Sequence, residues 1–168
     1  MSERLEDLRR RIEKDPASIA FAQLAEECRR LGRHQEAIDI CRRGLTTHPG
    51  YLSARVTLGR SLLHLGQLDE AHQELEIVLQ GAPENLAALR AMGDISRRRS
   101  DIPRALAQYR AALQLAPNDP ELERGIEELS EALTQSANER ENVRTRSVLA
   151  ALEQWLAAIH VTRAQRSA

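Results

Sequence analysis

The chain has 168 residues, 42% hydrophobic and 29% charged, with 24 basic side chains against 25 acidic ones and a net charge of −1. A polypeptide of this length buries roughly 70% of its unfolded surface as one domain, so a core can form without disulfides or a structural metal. The charge balance argues against nucleic acid as a partner, and no stretch approaches the roughly 18 consecutive apolar residues of a membrane-spanning helix.

The chain starts with Met1-Ser2-Glu3-Arg4-Leu5-Glu6-Asp7, charged from the outset and without the apolar run of a secretory signal, so a cytoplasmic protein is expected. Lys14 is the sole Lys among the 24 basic residues, an arginine bias that hints at a GC-rich bacterial source. Leu5, Leu8 and Ile12 fall on one helical face of residues 2–14, which suits a capping helix within residues 1–17.

From Ser18 onward the sequence superposes on itself at a shift of 34 residues. Ala37, Ala71 and Ala105 align, as do Pro49, Pro83 and Pro117, Leu24, Leu58 and Met92, Ala25, Gly59 and Gly93, and Gly32, Gly66 and Ser100. Three units follow: 18–51, 52–85 and 86–119. Apolar and small residues recur at three- and four-residue intervals within each unit, which reads as two helices. In the second unit these are Leu52–Leu65 and Leu68–Gln80, with Gly66 where the first must stop and Pro83 after the second. Asn85, Asp101 and Asp119 are placed as N-caps, with Pro103 and Pro120 in the first turns that follow.

These residues resemble the tetratricopeptide repeat, whose signature is an aromatic, Leu-Gly and Tyr on the first helix, Ala and Phe on the second, and a closing Pro. The first unit offers Phe21, Leu24, Ala25, Cys28, Ala37, Cys41 and Pro49; the second Leu58, Gly59, Leu62, Ala71, Leu75 and Pro83; the third Leu89, Met92, Gly93, Ala105, Tyr109 and Pro117. Arg55 departs from the pattern where a large apolar residue is usual, and Ser96 where Tyr is usual. The resemblance implies an all-α protein: a right-handed superhelical solenoid of three helix pairs with capping helices at both ends and a separate amphipathic helix at the C-terminus.

Residues 120–133 carry Leu122, Ile126, Leu129 and Leu133 on one narrow stripe and read as the C-terminal cap. Residues 134–147, TQSANERENVRTRS, are polar except for Ala137 and Val143 and read as a flexible linker or a frayed helix end. Residues 148–168 hold a helix whose Val148, Leu149, Leu152, Trp155, Leu156 and Ile159 cover one broad apolar face, with Glu153, Gln154 and His160 supplying polar contacts. Such a face is expected to dock, either on the protein's own repeats or on another protein, a second copy of this chain included.

No phosphate-binding glycine loop, zinc helix or nucleophile elbow is present, so neither catalysis nor a cofactor is expected. His34, His48, His64, His72 and His160 show no ligand spacing with a Cys, Asp or Glu, so no metal site is expected either. Cys28 and Cys41 form no C-x-x-C pair and are expected to be core residues.

The resemblance further implies protein binding through the concave face lined by the first helix of each unit. Its positions here are Ile19, Ala22, Glu26, Arg29 and Arg30, then Ser53, Val56, Arg60, Leu63 and His64, then Ala87, Arg90, Asp94, Arg97 and Arg98. Six Arg against two acids would give a basic groove suited to an acidic or carboxylate-bearing segment, which Arg holds with paired hydrogen bonds. The family's carboxylate clamp for chaperone tails uses Lys, Asn, Asn, Lys and Arg; the matching Ala22, Glu26, Thr57, Ala87 and Ala91 exclude that client. Three-repeat cytoplasmic secretion chaperones, which hold translocator proteins, are a second resemblance in length and repeat number, but they accommodate apolar segments.

Overall fold

In the computed structural model the described residues are 3–15 and 18–166, with side chains from residue 4 through residue 157. They divide into two units, one through residue 126 and one from 127 onward.

The first unit is a stack of helices. α1 (Glu3–Lys14) is followed by three pairs: α2 (Ala20–Arg30) with α3 (His34–Thr47), α4 (Leu52–His64) with α5 (Leu68–Gly81), and α6 (Leu86–Arg98) with α7 (Ile102–Leu115). The pairs keep the 34-residue period, and α2, α4 and α6 neighbour one another in sequence of stacking. The capping role expected for the first helix agrees with the burial of Leu5 and Leu8 and the packing of Ile12 against the core.

Turn chemistry fixes where each first helix ends. Gly32 and Gly66 adopt left-handed φ of 76° and 79°, and Ser100 takes the same conformation at 60° in the aligned position. Glycine reaches this region without a Cβ clash, so the turn is unstrained in the first two pairs and costs about 1 kcal/mol in the third. The expected caps form: Asn85 Oδ1 accepts from the Ala88 amide at 3.0 Å, Asp101 Oδ1 from Arg104 at 3.2 Å, and Asp119 Oδ1 from Glu121 and Leu122 at 3.0 and 3.2 Å.

Within each pair a small residue on one helix admits a large one on the other. A Cβ at Gly59 would sit 2.6 Å from Leu75 Cγ, and one at Gly93 would overlap the ring of Tyr109. In the first pair the exchange is reversed along the helices, since Gly44 on α3 admits Phe21 of α2 while Ala25 and Cys41 are both modest in size and wholly buried. Volume is conserved at each interface, which interiors packed like organic crystals demand. Burial pushes the Cys41 thiol up to about 12 and raises Cys28, as expected of core sulfurs.

Both departures from the family pattern are accommodated. Arg55 donates to Glu74 at 2.5 Å and to the Pro49 carbonyl at 2.7 and 3.0 Å, setting charge-assisted bonds within the second pair and to the loop before it where an apolar contact is usual. Ser96 is buried, its small side chain standing where a large ring is usual.

α8 (Pro120–Arg166) begins with the Asp119 cap and with Leu122 buried. Residues 134–147, expected as a flexible linker or a frayed helix end, are continuous helix, so the linker reading is corrected and α8 joins residues 120–133 to the C-terminal helix without a break. The segment contains no Gly or Pro, its Ala, Gln, Glu and Arg are good helix formers, and Thr134 returns its hydroxyl to the Ser130 carbonyl at 2.9 Å. Polarity alone therefore does not unwind it. In the second unit Val148, Leu149, Leu152, Trp155 and Leu156 are exposed by 50–61%. The side chains of Ile159 and His160 lie outside the described ones.

Candidate protein-binding groove

The groove is set by the first helices of the three pairs. Two cavities adjoin along it and share Arg60 and Ala87. The larger, about 600 Å³, is lined by Arg29 of α2, Arg60, Leu63 and His64 of α4, and Arg90, Asp94 and Arg98 of α6, together with His34, Leu86, Ala87 and Ala91. The smaller, about 440 Å³, gathers Glu26, Arg30 and Val56, with Glu27, Arg4, Tyr51, Ser53 and Asn85 among its other walls. Arg97 lines neither and pairs with Asp94 at 3.8 Å.

Partners of the arginines change the charge expected from the concave positions alone. Arg29 forms a two-bond fork with Glu26 at 2.9 and 2.7 Å, which raises the guanidinium's hold on its proton and lowers the Glu26 carboxyl. Arg90 donates to Asp119 and Glu121, both at 2.5 Å, and Arg30 lies 3.7 Å from Glu27. Glu27, Asp119 and Glu121 are not on the concave helical positions, so a tally restricted to those positions overstates the basic surplus. Asp94 accepts from the Tyr109 hydroxyl at 2.5 Å, and burial, with this bond, pushes the phenol up.

Arg60 differs. It is half-buried, and no hydrogen bond or ion pair to a carboxylate forms among the described residues. Burial weakens its hold on its proton, Arg29 and Arg90 push in the same direction, and the more distant carboxylates Glu26 and Asp94 offset this only in part. Arg98, the other guanidinium of the larger cavity without a carboxylate partner among the described residues, reaches across to the Leu63 carbonyl at 2.6 Å. The helix end it bonds is that of α4, just before His64.

The groove is thus graded. Its smaller cavity carries Glu26 and Glu27, and Thr57 donates to Glu26 at 3.1 Å, so two of the positions that match the chaperone-tail clamp are occupied by each other. The larger cavity carries four Arg against one Asp. Sequence reasoning missed His34, which sits at the start of α3 and stacks on His64 with ring centroids 3.7 Å apart. The two are 30 residues apart, and only the stacking of one pair on the next brings them together.

Among the described residues no cluster of His, Cys, Asp and Glu could hold a metal, and no helix is long and apolar enough to cross a membrane.

Residues 29–95 match the tetratricopeptide repeat family. Among curated proteins, the chain is 38% identical over 71 residues to the CTR9 homolog of Arabidopsis thaliana, which is 42% of this chain and 6% of that protein. It is 29% identical over 82 residues to mouse sperm-associated antigen 1, 49% of this chain and 9% of that protein. The chain therefore spans a tenth or less of the curated relatives it matches. Among solved structures, MamA superposes with a TM-score of 0.71 at 14% identity, over 77% of each chain. The first repeat domain of Spaghetti (RPAP3), bound to the HSP90 peptide SRMEEVD, superposes with a TM-score of 0.66 at 18% identity, over 71% of this chain and 94% of that one. Period, left-handed turns, helix pairing and these matches agree: the chain carries tandem tetratricopeptide repeats, a family whose members generally mediate protein–protein interactions.

Proposed function

We propose that the repeat unit binds an acidic, carboxylate-bearing segment of a partner protein in the groove of α2, α4 and α6, with Arg60 and Arg98 as the anchors. The observation that carries this reading is Arg60, a half-buried guanidinium flanked by Arg29 and Arg90 and given no carboxylate by the described residues. Taking a charge out of water without a partner is costly, and an incoming carboxylate supplies that partner. The other groove arginines are already committed, so they shape the walls while Arg60 and Arg98 hold the ligand. Glu26 and Glu27 at the adjoining cavity repel a carboxylate there, which orients the acidic end of the segment toward α6. A neighbour of the same fold binds a peptide with acidic residues near its end, SRMEEVD; here the five clamp positions lack basic and amide side chains, so the carboxylate is received at a different place.

In the second unit the exposed apolar face of Val148, Leu152, Trp155 and Leu156 supports a second docking element on another protein, a copy of this chain included.

The test is calorimetry with a glutamate-rich peptide and its glutamine analogue between 50 and 500 mM salt. The acidic peptide should bind, weaken with salt and bind at least tenfold less well to Arg60→Glu combined with Arg98→Glu, with circular dichroism unchanged. Equal binding of the glutamine analogue would overturn the acidic-segment reading.

A further inference from the structure

The larger cavity holds a group that the arginine reading does not use. His34 and His64 stack at 3.7 Å between ring centroids, with their planes 25° apart, on the wall that also carries Arg60 and Arg98. His64 is exposed, whereas Nδ1 of His34 is buried and has no hydrogen-bond partner among the described residues. A buried ring nitrogen without a partner is uncommon and points to an unmet hydrogen bond.

We propose that the His34–His64 pair couples binding of the acidic segment to proton uptake, so that the groove grips carboxylates more tightly as pH falls from 7.5 to 5.5. This rests on the acidic-segment reading and names the regulation of that same site.

The charged groups facing the pair are Arg29 from α2, Arg60 from α4, and Arg90, Asp94 and Arg98 from α6. Glu36, near His34 on α3, is taken up by Arg9 at 2.5 Å and by Arg33 at 3.6 Å. In the free protein this surrounding is cationic, and the imidazole of His64, stacked on that of His34, disfavours protonation of His34. Burial first, then His64 and Arg29, hold His34 below its ordinary value. A carboxylate seated between Arg60 and the pair reverses that balance, because its negative charge favours the charged imidazole and its oxygen accepts a hydrogen bond from the imidazolium N–H.

The sign follows from linkage. An imidazole whose proton affinity is low in the free groove and higher in the complex binds a proton on association. Association therefore strengthens as pH falls through the ordinary His range near about 6.5. Each unit by which the ligand raises the imidazole contributes up to about tenfold in affinity, so a gain of about tenfold across the two pH units is expected from one such residue. Glutamate side chains of the probe, with ordinary values near about 4.3, stay largely ionised throughout.

The experiment uses the full chain and a blocked deca-glutamate peptide, measured calorimetrically at pH 7.5, 6.5 and 5.5 at constant ionic strength. Imidazole resonances of His34 and His64 are titrated by NMR with and without the peptide. The expected result is affinity rising about tenfold toward pH 5.5, an upward shift of an imidazole titration on binding, and a flattened profile for His34→Gln combined with His64→Gln. His72→Gln, a change on α5 away from the cavity, should keep the rise. Salt-sensitive binding with a flat pH profile, or a rise that survives in the His34→Gln, His64→Gln variant, would refute the coupling and leave the acidic-segment reading standing. Absence of peptide binding at every pH would refute both. An imidazole titration in free protein identical to that in the complex would refute the coupling even if affinity rose.

Discussion

Replacing Arg60 by Met should make the free protein more stable and a poorer binder. The guanidinium is half-buried, is pushed by Arg29 and Arg90, and receives no carboxylate from the described residues. Met keeps an unbranched apolar stem of similar reach, so the contacts that the Arg methylenes make on the groove wall are largely retained. Replacing buried charges by apolar side chains of like volume is often stabilising by about 1–4 kcal/mol. Partial exposure screens Arg60, so the gain is discounted to the bottom of that range and below, about 0.5–1.5 kcal/mol. For a chain of this size that corresponds to a rise of about 1–6 °C in melting temperature. Binding should move the other way: a hydrogen bond to a charged group contributes about 1.5–3 kcal/mol, so affinity for a glutamate-rich peptide should fall about ten- to hundredfold. Scanning calorimetry of the two proteins and titration with one peptide measure both quantities. A lower melting temperature with unchanged affinity would show that Arg60 is a structural residue with a partner that the geometry does not reveal, and the argument for the groove would fail.

Two further outcomes test the scaffold. Ser100→Gly relieves the left-handed strain at the position where the other repeats carry Gly32 and Gly66, and should raise the urea midpoint by the equivalent of up to about 1 kcal/mol; a lowered midpoint would contradict it. Cys28 and Cys41 should react with a thiol reagent at pH 8 no faster than the protein opens, because both are wholly buried and Cys41 is pushed up to about 12; rapid labelling in the native state would place a sulfur at the surface.

The repeat architecture was legible because it depends on residues whose effect is local. Gly32 and Gly66 stop helices by backbone conformation, Asn85, Asp101 and Asp119 start them by accepting amide protons, and Gly59 and Gly93 admit Leu75 and Tyr109 within one pair. The groove was legible only as a set of positions. Arg29, Arg60, Leu63, His64, Arg90, Asp94 and Arg98 do line one cavity, but Arg97 falls outside it and His34 joins it from α3. For residues 134–147 polar composition left a flexible linker and a frayed helix end both open, and the propensities of Ala, Gln, Glu and Arg, which favour a helix, decide between them.

What a list of concave positions lacks is the pairing between repeats, and that pairing has a spacing of its own. Arg9 meets Glu36, Arg42 meets Glu70, Arg90 meets Asp119 and Glu121, and Arg99 meets Asp69. These partners are 27–31 residues apart, about one repeat less one helical turn, and His34 and His64 share the offset at 30. The offset arises because stacking sets one repeat on the next with a shift along the helix, so a side chain reaches the preceding turn of the following unit. Applied to Arg60, it selects residues 29–33 behind and 87–91 ahead, where the charged residues are Arg29, Arg30, Arg33 and Arg90. No acid stands in either window. The pairing that neutralises Arg42, Arg90 and Arg99 therefore offers Arg60 no acid at this offset; Glu26 and Asp94 act on it from a distance without an ion pair, which leaves its guanidinium free to bond a ligand and centres the acidic-segment reading on this residue rather than on the number of arginines in the groove.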